Sequence, residues 1–235
     1  MSHQSAGAGH SAVTPRVIVL KTNYQSIKNY NYLVVDQTCR QAVIVDPAWQ
    51  IETIDQALTD TQAVLSGILI THSHPDHIDL AKPIAEKYDC PIWMSKEEIA
   101  ASGFNARHLI GIDTKPWTVG QMLIEPILAP GHTPGCMCYL IGDNLFSGDV
   151  LFTEGCGICP DTQAAHAMFA SLQNLKKRLK PQTRIVPGHS YGEQPGQMLS
   201  QLQKDNIYLQ FSNRESFAAF RLRSGQNFAK MFSFS

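Results

Sequence analysis

Apolar residues fall along this chain in two rhythms. Short β-rich runs come first: VIVL at 17–20, YNYLVV at 30–35 and QAVIVD at 41–46. Each is closed by polar or turn residues, the pattern of strands in a mostly antiparallel sheet. Residues 51–59 carry a weak helical period, and SGILITH (66–72) has the length and β-branched content of a buried strand. From Asp76 to about Tyr88, the apolar positions Ile78, Leu80, Ala81, Ile84 and Ala85 recur at helical spacing. Pro75 lies at or just ahead of the first turn, where proline is tolerated. The second half partly repeats this order. Strands are predicted at 122–129, 136–141 and 144–147, then an amphipathic helix at 164–179, a strand at 183–189 and a further helix at 194–209. Two β-rich halves, each followed by helices, predict an α/β fold of two sheets packed face to face with helices outside.

The 235 residues suit one large domain, or one domain with a small appendage. A hydrophobic content of 43% supports an ordinary core without disulfide staples. A formal charge of −1 gives none of the basic field that drives nucleic-acid binding, so that partner class is set aside. No apolar run approaches the roughly 20 residues that span a bilayer, which sets aside the membrane. Residues 1–15 lack the basic and apolar regions of a signal peptide and are expected to form a disordered arm. Six cysteines without an export signal point to reduced thiols and a cytoplasmic location. Cys156 and Cys159 form a CxxC with no second pair to complete four ligands, so they are expected to be loop thiols. Cys136 and Cys138 are expected to pack from a strand.

The stretch THSHPDHIDL (71–80) changes this picture. It puts His72, His74, Asp76 and His77 within six positions, where a strand ends and a helix begins. An i, i+2 pair in extended backbone projects to one side, so His72 and His74 face together. Asp76 and His77 open the following helix and can turn back to the same point. PGHTPG presents His132, SGDVLF presents Asp149 and PGHS presents His189, each from a glycine-bearing turn. Five of the nine histidines fall in these contexts. Imidazole and carboxylate donors suit zinc, and also iron or manganese. Seven such groups are too many for one tetrahedral ion and suit two divalent ions with a solvent oxygen between them.

HSHPDH, PGHTPG, SGDVLF and PGHS, in this order, resemble the motifs of the metallo-β-lactamase superfamily, over roughly residues 17–210. The resemblance implies a four-layer αβ/βα sandwich with metals at one edge, occupying residues 16–210, and a C-terminal extension at 211–235 packed on it. It also implies that His72, His74 and His132 hold one ion, that Asp76, His77 and His189 hold the other, and that Asp149 bridges them. Asp46, in VDPA, matches the family's early aspartate, which orders the site's loops.

That superfamily hosts several chemistries, so the fold does not settle the reaction. Cysteine stands at the position of Asp149 in several secreted β-lactamases, which the chain resembles less. LFTEGCG (151–157), MFASLQNLKKRL (168–179) and PQTRIVPGHSY (181–191) resemble the glyoxalase II type of thioester hydrolase. Departures are as informative. Ser73 stands where that group has another histidine, and Ile158 stands where it has a basic residue for the glutathione carboxylate; Tyr191 matches. The 46 residues after His189 are fewer than its full glutathione-binding domain. Tyr191 and Ile158 are therefore candidate substrate residues for a different thiol carrier.

The tail, SNRESFAAFRLRSGQNFAK (212–230), sets Arg214, Arg221, Arg223 and Lys230 against Glu215, with Phe217 and Phe220 three apart. One expectation is an amphipathic helix packing its phenylalanines on the core. The other is a basic aromatic rim, with Arg221 and Arg223 docking an acidic carrier protein. Tail and EGCG loop together resemble the small metallo-hydrolases of trans-acyltransferase polyketide clusters. This resemblance implies hydrolysis of acyl thioesters on acyl carrier protein, or on a small acyl thioester, during antibiotic biosynthesis. Alternatives are a hydroxyacylglutathione hydrolase, and an iron persulfide dioxygenase using His72, His132 and Asp149 alone. A non-catalytic metal-binding module is a further alternative.

Overall fold

A computed structural model describes residues 14–224. The first half runs β1 (Arg16–Tyr24), β2 (Ile27–Val35), β3 (Gln41–Val45), α1 (Ile51–Thr61) and β4 (Val64–Leu69). It continues through α2 (Pro75–Ile78), α3 (Ala81–Tyr88), β5 (Ile92–Ser95), α4 (Lys96–Ser102) and β6 (Leu109–Ile112). These strands form one six-stranded sheet in sequence order. The second half opens with β7 (Trp117–Val119), β8 (Met122–Leu128), β9 (Met137–Ile141), β10 (Asn144–Gly148) and α5 (Thr162–Arg178). It closes with β11 (Arg184–Pro187), β12 (Gln197–Met198), α6 (Leu199–Asp205) and α7 (Arg214–Arg221). Its sheet has the order β12-β11-β10-β9-β8-β7.

The expectation of a mostly antiparallel first sheet is corrected. β1, β2 and β3 pair antiparallel, but β3, β4, β5 and β6 are parallel neighbours. Parallel neighbours need a crossover, and α1, α3 and α4 supply it. Strands covered on both faces read as continuous apolar runs rather than alternating ones, so direction was not visible in the sequence. Within β2, Tyr32 and Val34 face the second sheet while Leu33 and Val35 face the helices, and all four are buried.

Three apolar layers result. Tyr32, Val43, Val45 and Leu69 meet Ile124, Tyr139, Ile141 and Phe146 between the sheets. Ile54, Leu58 and Ile84 cover the outer face of the first sheet. Leu172, Leu175, Leu199 and Phe217 cover that of the second. The arrangement is the helix–sheet–sheet–helix sandwich expected from the motifs.

The helix expected over 76–88 is broken at Asp79–Leu80. Pro83 lacks the N–H that would bond the Asp79 carbonyl, and its ring crowds that carbonyl. Leu80 instead donates its N–H to Pro47 O at 3.1 Å. The helix expected over 194–209 begins only at Leu199 and ends at Asn206. Asn206 caps a 3-10 turn by accepting from Tyr208 N at 3.0 Å, and its amide donates to Phe152 O and Gly155 O, both at 3.0 Å. A buried asparagine thus anchors the 152–155 loop beside the site.

Candidate metal centre

Every donor hangs from the same edge of the sandwich, where strands end. β4 delivers Thr71 and His72, and α2 starts at Pro75 so that Asp76 and His77 occupy its first turn. The β8–β9 turn carries His132, β10 leads into Asp149, and β11 leads into His189. Gly148 has φ +49°, and a Cβ there would lie 2.3 Å from Thr71 Oγ1. At Gly188 a Cβ would come within 2.5 Å of His77 Cε1. Those two glycines let the two sheet ends close on each other.

The seven side chains gather into three overlapping groups: His72, His74 and His132; His72, His77 and Asp149; Asp76, His77 and His189. His74 Nδ1 lies 3.1 Å from His72 Nε2 and 3.0 Å from His132 Nε2. His77 Nε2 is 3.4 Å from Asp149 Oδ1, and His189 Nε2 is 3.2 Å from Asp76 Oδ2. His132 Nε2 lies 3.6 Å from Asp149 Oδ2. For metal–nitrogen bonds of ~2.05 Å, the edge of a tetrahedron is about 3.3 Å. The donors are spaced as ligands around a cation.

Their outer atoms are held as ligands require. His77 Nδ1 lies 2.9 Å from Asp46 Oδ2, His132 Nδ1 2.8 Å from Ile158 O, and His189 Nδ1 2.8 Å from Lys28 O. These contacts fix the rings so that Nε2 points inward. His72 Nδ1 meets Thr71 Oγ1 at 3.1 Å, whereas His74 turns Nδ1 itself inward. Buried His77 Nε2 and Asp149 Oδ1 have no hydrogen-bond partner. Orphaned polar atoms are costly, and a cation satisfies both at once. The donor set fits a divalent metal.

Electrostatics agree. Burial pushes the His72 imidazole well down, helped by His77, His132 and His74 beside it. Burial would raise the Asp149 carboxyl, but His189, His77 and His132 outweigh it and hold the group far below the usual carboxylate range. Burial would lower His77, yet Asp149, Asp76 and Asp46 raise it well above the ordinary value. The buried carboxylates and the imidazoles beside them thus favour each other's charged forms, and the carboxylates would favour a cation in the same way.

Residues outside the motifs complete the support. Asp46, at φ +49°, accepts from Thr71 N at 2.8 Å and Thr71 Oγ1 at 2.6 Å while facing His77. Asn29 donates to the Asp76 carbonyl at 2.8 Å and to Asp76 Oδ2 at 3.2 Å, and accepts from Trp49 Nε1 at 2.9 Å. Glu98 is 1% exposed and joins two motif loops. Its Oε1 accepts from Ser73 N at 2.8 Å and Ser73 Oγ at 2.6 Å; its Oε2 accepts from Thr133 Oγ1 at 2.6 Å and Gly135 N at 3.1 Å. Sequence reasoning missed Asn29 and Glu98. The run Ser95–Glu98 is a capping-box signal, but only half of the box forms: Ser95 Oγ accepts from Glu98 N at 3.0 Å, and the carboxylate goes to the motif loops.

A cavity of about 440 Å³ opens over the centre, lined by Ile27, Phe152, Ile158, Pro160 and Tyr191 beside His74, Asp76, His132 and Asp149. Tyr191 and Ile158 thus face it. Arg221 does not: it is 3% exposed, with Nη1 3.0 Å from Tyr208 Oη, which corrects its expected place on a docking rim. Burying Phe217 on α5 turns that face of α7 inward and takes Arg221 with it. Arg223 is exposed, its guanidinium 3.8 Å over the Phe220 ring, and Lys230 lies outside the described residues. Cys136, Cys138, Cys156 and Cys159 are free, buried thiols. No helix among the described residues is long and apolar enough to cross a membrane.

The family model described as the metallo-beta-lactamase superfamily matches residues 28–189. A Bacillus velezensis protein described as a probable polyketide biosynthesis zinc-dependent hydrolase, BaeB, is 45% identical over 215 residues, or 91% of this chain and 96% of its own length. A Bacillus subtilis protein with the same description, PksB, is 40% identical over 216 residues, again 91% and 96%. A crystal structure of a metallo-beta-lactamase from Staphylococcus aureus superposes with a TM-score of 0.81 at 22% identity, over 92% of this chain and 69% of that one. At that identity the likeness concerns the fold.

Proposed function

We infer that this chain, which belongs to the metallo-beta-lactamase superfamily, is a zinc-dependent hydrolase of polyketide biosynthesis that cleaves acyl thioesters borne by acyl carrier protein. The observation that carries this reading is the cage of five histidines and two aspartates opening into an apolar-walled cavity. His72, His74 and His132 would hold one ion, Asp76, His77 and His189 a second, with Asp149 between them. Such a pair supplies an ionised water near neutral pH and an electrophile for the carbonyl oxygen.

The chain's own groups do the rest. Asp76, fixed by Asn29, faces the cavity and orients the attacking water through a hydrogen bond. Ile27, Phe152, Ile158 and Pro160 take the acyl chain and exclude bulk solvent. Burial, with Asp149 and Glu154 nearby, pushes the Tyr191 phenol up, so it stays protonated and donates to a substrate oxygen. The leaving thiolate, with a solution pKa of about 8.5, departs without a dedicated acid. Ile158 offers no charge to a glutathione carboxylate, and the ionisable groups lining this cavity are histidines, aspartates and a tyrosine.

The test is turnover of one acyl group presented on carrier protein, on glutathione and on pantetheine, alongside metal stoichiometry. Preference for the carrier with two ions per chain is expected, and Asp76→Ala should lower kcat by about a thousandfold or more. Strong preference for acyl-glutathione would overturn the carrier. A single iron with persulfide-dependent oxygen uptake would overturn the hydrolase.

A further inference from the structure

A second cavity, of about 340 Å³, lies between the β1–β2 hairpin and the 190–194 loop. Nine residues line it, with Lys21 and Lys28 among them and no carboxylate, valine, leucine or isoleucine. The register of the β1–β2 hairpin explains the pairing of charges: Lys21 lies opposite Tyr30, and Asn23 opposite Lys28. All four therefore project from one face, with the lysines on a cross-strand diagonal of about 7–8 Å. The 190–194 loop closes the other side with Ser190, Gly192 and Gln194. Glu193, on that loop, is exposed and does not line the cavity.

Residues adjacent in sequence line the two cavities. Ile27 lines the apolar one and Lys28 the polar one; Tyr191 lines the apolar one and Ser190 the polar one. Asn29 also borders the polar cavity, while its side chain, on the opposite face of β2 from Lys28 and Tyr30, grips Asp76.

We propose that this cavity binds the phosphodiester of a 4′-phosphopantetheine arm whose thioester lies at the metal centre. The proposal rests on the thioester reading above and gives it a recognition element. Two ammonium groups meet the anionic oxygens, and the Asn23 amide is a neutral donor within the same cavity. Apolar and anionic ends of one substrate thus fall on opposite sides of the Ile27–Lys28 step.

The experiment compares kcat/KM for one acyl group on 4′-phosphopantetheine and on pantetheine, which lacks the phosphate. The metal-loaded wild type is expected to prefer the phosphorylated compound by about tenfold, mainly through KM, and added salt should narrow the gap. In K21Q/K28Q the ratio should fall toward one. A wild-type ratio near one, or an undiminished ratio in K21Q/K28Q, overturns the subsite while leaving thioester hydrolysis intact. If the double variant fails to fold, K21Q and K28Q are measured singly, and the wild-type ratio decides on its own. Turnover of acyl-glutathione with neither pantetheine compound cleaved overturns the carrier reading, and the subsite with it.

Discussion

Glu98 shows how much of this site is carried by one side chain that ligates nothing. Its carboxylate accepts four hydrogen bonds and so sets the distance between the loop bearing His74 and the turn bearing His132. It also accounts for Ser73, which stands where a glyoxalase II sequence has histidine: the hydroxyl is a donor to Glu98. Glu98→Gln keeps the shape but exchanges one acceptor for a donor facing donors. It should cost about 2 kcal/mol of stability and weaken metal affinity by about 10- to 100-fold. Melting curves and metal titration check this, with activity recovering as free metal is raised. Unchanged metal affinity would mean that the loops are set by other contacts. The seven candidate ligands were legible because metal donors crowd into short, glycine-punctuated motifs. Glu98 and Asn29 were not, since each is an ordinary residue whose importance arises only when a distant loop packs against it.

Among the elements, the strongly periodic ones were read well and the junctions poorly. β1 to β4, α1 and α5 lie within a few residues of their expected places, whereas β5, α4, β6 and β7 fill a stretch with no clear period. Pro83 forced a break ahead of α3, and Asn206 ended α6, where the apolar spacing alone would have continued a helix. A junction of the same kind ties the two sheets. Asp36, at the end of β2, accepts from Thr38 N at 2.8 Å and, across the sandwich, from Gln121 N at 2.7 Å between β7 and β8. Burial would raise its carboxyl, but hydrogen bonds from the Cys39 thiol, Gln121 and Thr38 outweigh it and hold the group at about 2. The folded value lies below the unfolded one, so this stabilisation is complete above the unfolded carboxylate range near 4 and is lost as pH falls toward 2. Tempered by nearby solvent, it amounts to about 1–2 kcal/mol. Asp36→Asn should therefore be less stable than wild type in denaturant at pH 6. The two curves should converge near pH 2, and a gap independent of pH would count against the charge.

At the scale of the whole molecule, the four layers were legible from the order of motifs and strands, but the reason they need each other was not. Four of the seven donors follow β4 in the first half, and three come from the turns of the second sheet. The halves meet through one exposed connection, residues 113–116. In the proposed arrangement each ion draws ligands from both halves. Divided at that connection, the chain becomes a proximity reporter: the separately expressed pieces should be silent, and turnover should return only on mixing, with a dependence on the concentration of both. Activity in either piece alone would show that a single half can assemble a working centre without its counterpart.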